Sequence, residues 1–119
     1  MSAQELFNAL QKSGVIGVIG ETYFELQGVK TLVKDSSIVG NVIQEWLRGF
    51  MDTHNIQYRL KDNSQEFPDF LMDLENDRVN LLEVKCFKKS PCFDVANFKA
   101  YARSLLKHPY RLDADYLIF

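Results

Sequence analysis

Asp69 closes the step Phe67-Pro68-Asp69, and thirteen residues separate it from the triplet Glu83-Val84-Lys85. Two carboxylates and an ammonium at this spacing fit the two strands of one β-hairpin. A pair of carboxylates with one open side suits Mg²⁺, a hard cation that keeps several waters and takes only one or two protein carboxylates. A lysine beside such an ion can hold a phosphate oxygen or an attacking water. The set has the makings of phosphodiester hydrolysis, in which a metal generates the nucleophile and stabilises the leaving oxygen.

The hairpin register tests this idea. From Phe67 to Leu74 the residues alternate, with Phe70, Met72 and Leu74 on one face and Asp69, Leu71 and Asp73 on the other. From Val79 to Phe87, Leu82, Val84 and Cys86 oppose Leu81, Glu83, Lys85 and Phe87. A strand's side chains repeat every two residues, so loop length decides which faces coincide. A two-residue Asn76-Asp77 turn sets an apolar face beside a charged one. A three-residue loop, Asn76-Asp77-Arg78, predicts Met72 opposite Leu82, Phe70 opposite Val84, and Asp69 opposite Lys85, with Glu83 two residues back. The register that packs the apolar side also gathers the charges. The competing reading is an ordinary solvated face on an amphipathic hairpin.

The elements around the hairpin follow from spacing. Ser36 and Ser37 are candidate N-caps for a helix running to about Thr53, with Val39, Val42, Ile43, Trp46 and Phe50 as its apolar stripe. Ile56 to Leu60 reads as a short strand. Pro91 precedes a second helix over 93–107, with Phe98, Tyr101, Ala102, Leu105 and Leu106 facing inward, and His108-Pro109 stops it. Tyr116 to Phe119 is an apolar strand. The order is helix, three strands, helix, strand.

That order, with Pro68-Asp69 on the second strand and Glu83-Val84-Lys85 on the third, resembles the PD-(D/E)XK nuclease superfamily. Within it the chain looks most like a small type II restriction endonuclease. The resemblance covers residues 36 to 119 and includes the helix segment Gly40-Asn41-Val42-Ile43-Gln44-Glu45-Trp46-Leu47. It implies an α/β restriction-endonuclease-like core, a central mixed β-sheet flanked by helices. By the same resemblance Asp69 and Glu83 bind Mg²⁺, the Val84 carbonyl adds a ligand, and Lys85 orients or deprotonates the water. Glu45 supports Lys85 or a second ion, and Asp73 is the reserve carboxylate. The implied activity is Mg²⁺-dependent cleavage of double-stranded DNA. A repair or recombination nuclease of the same fold, and a non-catalytic α/β binding domain, are the alternatives.

The charge distribution agrees with a DNA partner, although the net charge is −2. From Lys85 to Arg111 there are seven basic residues against one acid, Asp94, whereas the first 84 residues carry seven basic and thirteen acidic ones. Lys99, Arg103 and Lys107 recur every four residues and so share one helix face. Such a stripe can neutralise DNA phosphates, and Lys88 and Lys89 are placed to touch the scissile strand. The plainer reading of the stripe is a solvated helix face.

A chain of 119 residues is expected to form a single nuclease domain, with 1–35 as an N-terminal extension on the 36–119 core. Gln4 to Lys12 looks helical, and Thr22 to Lys34 alternates around Gly28 as extended structure. No apolar run approaches the roughly 20 residues of a membrane span, and the start lacks a basic-then-apolar leader, so a cytoplasmic protein is expected. Cys86, Cys92, His54 and His108 have no zinc-site spacing, and no disulfide is expected. The end at Leu117-Ile118-Phe119, inside an apolar strand, suggests truncation at the C-terminus. Cleavage of both duplex strands requires two sites, so a homodimer is expected.

Overall fold

The computed structural model describes residues 1–35, 38–63, 67–87 and 98–119. Helix α1 (Ala3–Lys12) begins in a capping box, in which the Ser2 hydroxyl accepts from the Glu5 N–H and the Glu5 carboxylate accepts from the Ser2 N–H. The two residues thereby satisfy N–H groups that a helix start leaves unpaired. Leu6 and Leu10, one turn apart on α1, are buried. A hairpin follows, β1 (Tyr23–Leu26) and β2 (Val29–Leu32), joined by Gln27 and Gly28. Both turn residues have positive φ, 51° and 77°, the combination that matches the twist of a two-residue hairpin and that glycine adopts readily. The alternation read around Gly28 is therefore a hairpin, and its side chains are exposed on both faces.

Helix α2 (Val39–Thr53) faces the core with Ile43, Leu47, Phe50 and Met51, spaced by four, three and one. Trp46 stacks on Phe50 at 5.4 Å and meets Phe119 edge-on, but stays partly exposed. The predicted caps Ser36 and Ser37 lie outside the described residues. The expected strand from Ile56 to Leu60 is reduced to one bridge, in which Arg59 and Leu71 exchange both backbone hydrogen bonds.

The central sheet is β3 (Phe70–Leu71), β4 (Leu81–Lys85) and β5 (Asp115–Ile118), in that spatial order. β3 pairs antiparallel with β4, and β5 pairs parallel, so the sheet is mixed as expected. β4 is central and buried along most of its length. Phe70, Met72, Leu82 and Val84 join the α1 and α2 residues in one core, with Leu117 and Phe119 against it.

The register differs from the three-residue-loop expectation. Phe70 pairs with Leu82 and Leu71 with Leu81, a slip of two positions. The cause is local. The Asp73 carboxylate accepts from the N–H groups of both Glu75 and Asn76, and the Asn76 side chain accepts from the Arg78 N–H. These bonds turn the chain away from the sheet before a longer strand can form. An even slip preserves the faces, so the apolar and charged sets still coincide. Asp73 thus serves the turn and is no reserve ligand.

Helix α3 (Phe98–Lys107) stops before Pro109, where a short 3-10 helix, Pro109–Asp113, leads into β5. The part of the expected helix over 93–97 lies outside the described residues. Tyr101, Ala102 and Leu105 are half-buried as expected, but Leu106 is 83% exposed, one residue past the inward face. Leu82 is fully buried at the centre of the core. Leu82→Ala should lower unfolding stability by about 2–5 kcal/mol. Urea melts should show a lower midpoint at an unchanged slope.

Candidate active site

The alternation of β4 divides its side chains between two tasks. Leu82 and Val84 enter the core, while Glu83 and Lys85 point to the opposite face. Asp69 enters that face from the residue just before β3. Its Oδ2 accepts the Val84 N–H at 2.8 Å, and its own N–H donates to Glu83 Oε2 at 3.2 Å. Lys85 Nζ lies 2.7 Å from Glu83 Oε1. Asp69, Glu83 and Lys85, singled out from the sequence, are thus brought together. The slip in register sets Asp69 beside Glu83 rather than Lys85, and Lys85 reaches the pair through Glu83.

Burial dominates the electrostatics. It raises the Asp69 carboxyl above its ordinary range, against the lowering effects of the Val84 N–H and Lys85. Burial likewise raises Glu83; the Lys85 bond opposes this and the Asp69 charge adds to it. On the far side of Glu83, the parallel register sets Tyr116 of β5 directly alongside. The Tyr116 phenol is held well above its ordinary range by burial, by the neighbouring Tyr101 phenol and by the charge of Glu83.

Helix α2 contributes Gln44, not Glu45. The Gln44 side chain comes close enough to Asp69 to help lower its carboxyl pKa. Glu45 is exposed and paired with Arg48 at 3.0 Å, and Arg48 in turn bonds Tyr58. The expectation that Glu45 faces the site is therefore corrected. At about 100° per residue Glu45 sits roughly 160° from Leu47, almost opposite the core. Including Leu47 and Met51 in the apolar stripe turns the inward face toward Gln44, and that sequence signal would have found it.

Lys99, Arg103 and Lys107 are all exposed on α3, as the four-residue spacing requires. Lys88, Lys89, Cys92 and Asp94 lie outside the described residues. Cys86 is a free, half-buried thiol.

A family model described as NgoBV restriction endonuclease matches residues 1–119, the whole chain. The chain belongs to this family. It is 39% identical over 122 residues to the type II restriction enzyme NlaIV of Neisseria lactamica, aligning all of this chain with 50% of that protein. It is 36% identical over 105 residues to the type II restriction enzyme NgoBV of Neisseria gonorrhoeae, covering 86% of this chain and 60% of that one. The solved structure of the NlaIV restriction endonuclease superposes with a TM-score of 0.86 over 100% of this chain and 50% of that chain. The chain thus spans about half the length of these relatives. The restriction-endonuclease resemblance and the mixed α/β core are both borne out.

The donor set fits a hard divalent cation. Among the described residues no cluster of three or more His, Cys, Asp or Glu forms, so the site rests on two carboxylates. The Val84 N–H points at Asp69, and its carbonyl shares that strand edge. Continuing the observed register puts Pro68 opposite Val84, and proline has no N–H to offer that carbonyl. A carbonyl, two carboxylates and water make an all-oxygen set with room for an ion that keeps its waters.

The raised carboxyls fix the sign of a pH effect. A folded-state pKa above the ordinary values of 3.8 and 4.5 means that the folded state binds more protons. Stability is then greatest below those values and falls as pH rises through the folded-state pKa of the pair. Through this pair the metal-free wild type should gain stability, and so melting temperature, relative to Glu83→Gln as the pH is lowered from 7 toward 4.5. The variant should therefore match or exceed wild type at pH 7 and lose that lead on acidification. Mg²⁺ should raise the melting temperature of wild type more than that of the variant, and equal Mg²⁺ shifts would remove Glu83 from the ligand set.

Proposed function

We propose that this protein is a Mg²⁺-dependent type II restriction endonuclease that hydrolyses phosphodiester bonds of double-stranded DNA. The convergence of Asp69, Glu83 and Lys85 beside the central strand, in a chain of a restriction endonuclease family, carries this reading. Family membership favours restriction over repair or recombination.

Asp69, Glu83 and the Val84 carbonyl hold the cation in this reading. The bound ion supplies a Lewis acid for the phosphoryl group and lowers the pKa of water. Lys85, tethered to Glu83, orients the attacking water or contacts a phosphate oxygen. Gln44, beside Asp69, favours its carboxylate form without adding charge. Phosphodiester hydrolysis requires in-line attack, so most of the protein's contribution is position and fixed charge.

Residues 1–119 act as a single nuclease domain in this reading. The first part of the 1–35 extension is built into it, because Leu6 and Leu10 lie in the core. Lys99, Arg103 and Lys107 neutralise backbone phosphates, with Lys88 and Lys89 near the cut strand. Two copies cut the two strands as a homodimer, the simplest match to a two-fold DNA site. Such an enzyme works in the cytoplasm, where the DNA it cuts is found. Among the described residues no helix is long and apolar enough to cross a membrane.

Plasmid cleavage tests the chemistry. Wild type should cut in Mg²⁺ and stop in EDTA, and Lys85→Ala should lose on the order of 10²–10³ in rate. Undiminished cutting by Lys85→Ala would refute the site, and EDTA-resistant cutting would refute the metal. For the basic stripe, replacing Lys99, Arg103 and Lys107 by alanine should weaken binding to every DNA sequence alike. The slope of log K against log salt should shrink by up to about 3. An unchanged slope would return these residues to a solvated face.

A further inference from the structure

Glu83 has neighbours on both sides along the sheet. Asp69 lies toward β3, and Tyr116 lies toward β5 as its direct register partner. In a parallel pair, residues in register project from the same face, so Tyr116 shares the face of Glu83 and Lys85. Helix α3 brings Tyr101 to the same place, close enough for its phenol to act on that of Tyr116. Phe67, two residues before Asp69, meets the Tyr101 ring edge-on at 6.1 Å and the Tyr116 ring at 6.4 Å. Three aromatic side chains from three separate segments therefore close the β5 flank of the carboxylate site. Tyr116 remains 41% exposed there.

The hydrogen-bond inventory of this pair is uneven. Each phenol has one O–H to donate. Two neighbouring phenols can share one of these donors between them, which leaves one donor and no added charge at the mouth of an acidic site. A neutral donor is suited to a phosphate oxygen that must approach two carboxylates. The rings behind it exclude water, which strengthens such a bond. Lys85 is already committed to Glu83 at 2.7 Å, so a second donor on the opposite flank has a distinct task.

We propose that Tyr101 and Tyr116 form a paired-hydroxyl contact that holds a nonbridging oxygen of the scissile phosphate on the β5 flank of the site. The proposal rests on the nuclease reading above and adds its substrate contact. Tyr116 makes the contact, and Tyr101 is a positioning residue that orients the Tyr116 hydroxyl.

Tyr116→Phe and Tyr101→Phe remove one oxygen each and keep the rings, so folding is preserved; melting temperatures check this. In plasmid cleavage with Mg²⁺, Tyr116→Phe should lower kcat on the order of 10²-fold, with KM within about threefold of wild type. The double variant should be no worse than Tyr116→Phe alone, because the two hydroxyls act as a unit. An independent readout is the ¹³Cζ resonance of Tyr116 in tyrosine-labelled protein, with plasmid-derived duplex DNA and Ca²⁺ in place of Mg²⁺. That resonance should shift on saturation with DNA in wild type and in Lys85→Ala. If Lys85→Ala is inactive while both phenylalanine variants cut like wild type, the hydroxyl contact is overturned and the nuclease reading stands. If Lys85→Ala cuts like wild type, the nuclease reading falls and the contact falls with it. A Tyr116 resonance unmoved by saturating DNA also overturns the contact.

Discussion

The Asp69 and Glu83 carboxyls are taken out of water side by side, with one ammonium, Lys85, to offset them. Such an arrangement opposes folding, because two like charges in a desolvated place raise each other's pKa or demand a counter-ion. It persists because β4 is held from every side. β3 and β5 flank it, Leu82 and Val84 anchor it in the core, and α1 and α2 cover that core. The apolar residues on one side of β4 stabilise the strand strongly enough to carry an unfavourable cluster on the other. The placement of the acids is thus a consequence of the strand alternation, and their unrest is a consequence of their burial.

A strand's two-residue period made most of this legible in the sequence. The face assignment around Asp69, Glu83 and Lys85 survived an error in the loop, since a slip of two positions leaves every side chain on its face. The pairing partner was not legible. It depended on the Asp73 carboxylate capturing two backbone N–H groups, a competition between turn and strand that hydrophobic pattern does not report. The short strand over 56–60 failed for a related reason. Its one bridge uses Arg59, whose guanidinium also binds the Asp73 carbonyl and pairs with Asp77, so this segment fastens a turn instead of extending a sheet.

Helix faces were read less well than strand faces. A helix is wrapped by contacts over a broad arc, so leaving out two apolar residues rotates the inferred inward direction. The family resemblance assigned Glu45 to the site, and the stripe without Leu47 and Met51 did not correct it, whereas the packed helix presents Gln44. A neutral amide at this position is the easier group to accommodate. A third carboxylate beside Asp69 and Glu83 would deepen their repulsion in the absence of a cation, while an amide can donate to Asp69 and adds no charge. Glu45 is better used outside, where it holds Arg48 against Tyr58 and ties α2 to the segment after it.

The aromatic flank escaped the sequence reading because its members are far apart in the chain. Phe67, Tyr101 and Tyr116 share no motif and no period. Two of them had been read only as apolar parts of a helix and a strand. What assembles them is the parallel crossover from β4 through α3 to β5, which returns the chain to the neighbouring strand with Tyr116 level with Glu83. The antiparallel neighbour of β4 brings the carboxylate partner from nearby in sequence, and the parallel neighbour brings the phenols from a distance. One strand with one neighbour of each kind can therefore border an acidic centre with a charged group on one side and neutral donors on the other. The mixed sheet is the feature of the fold that gives the site its two unlike flanks.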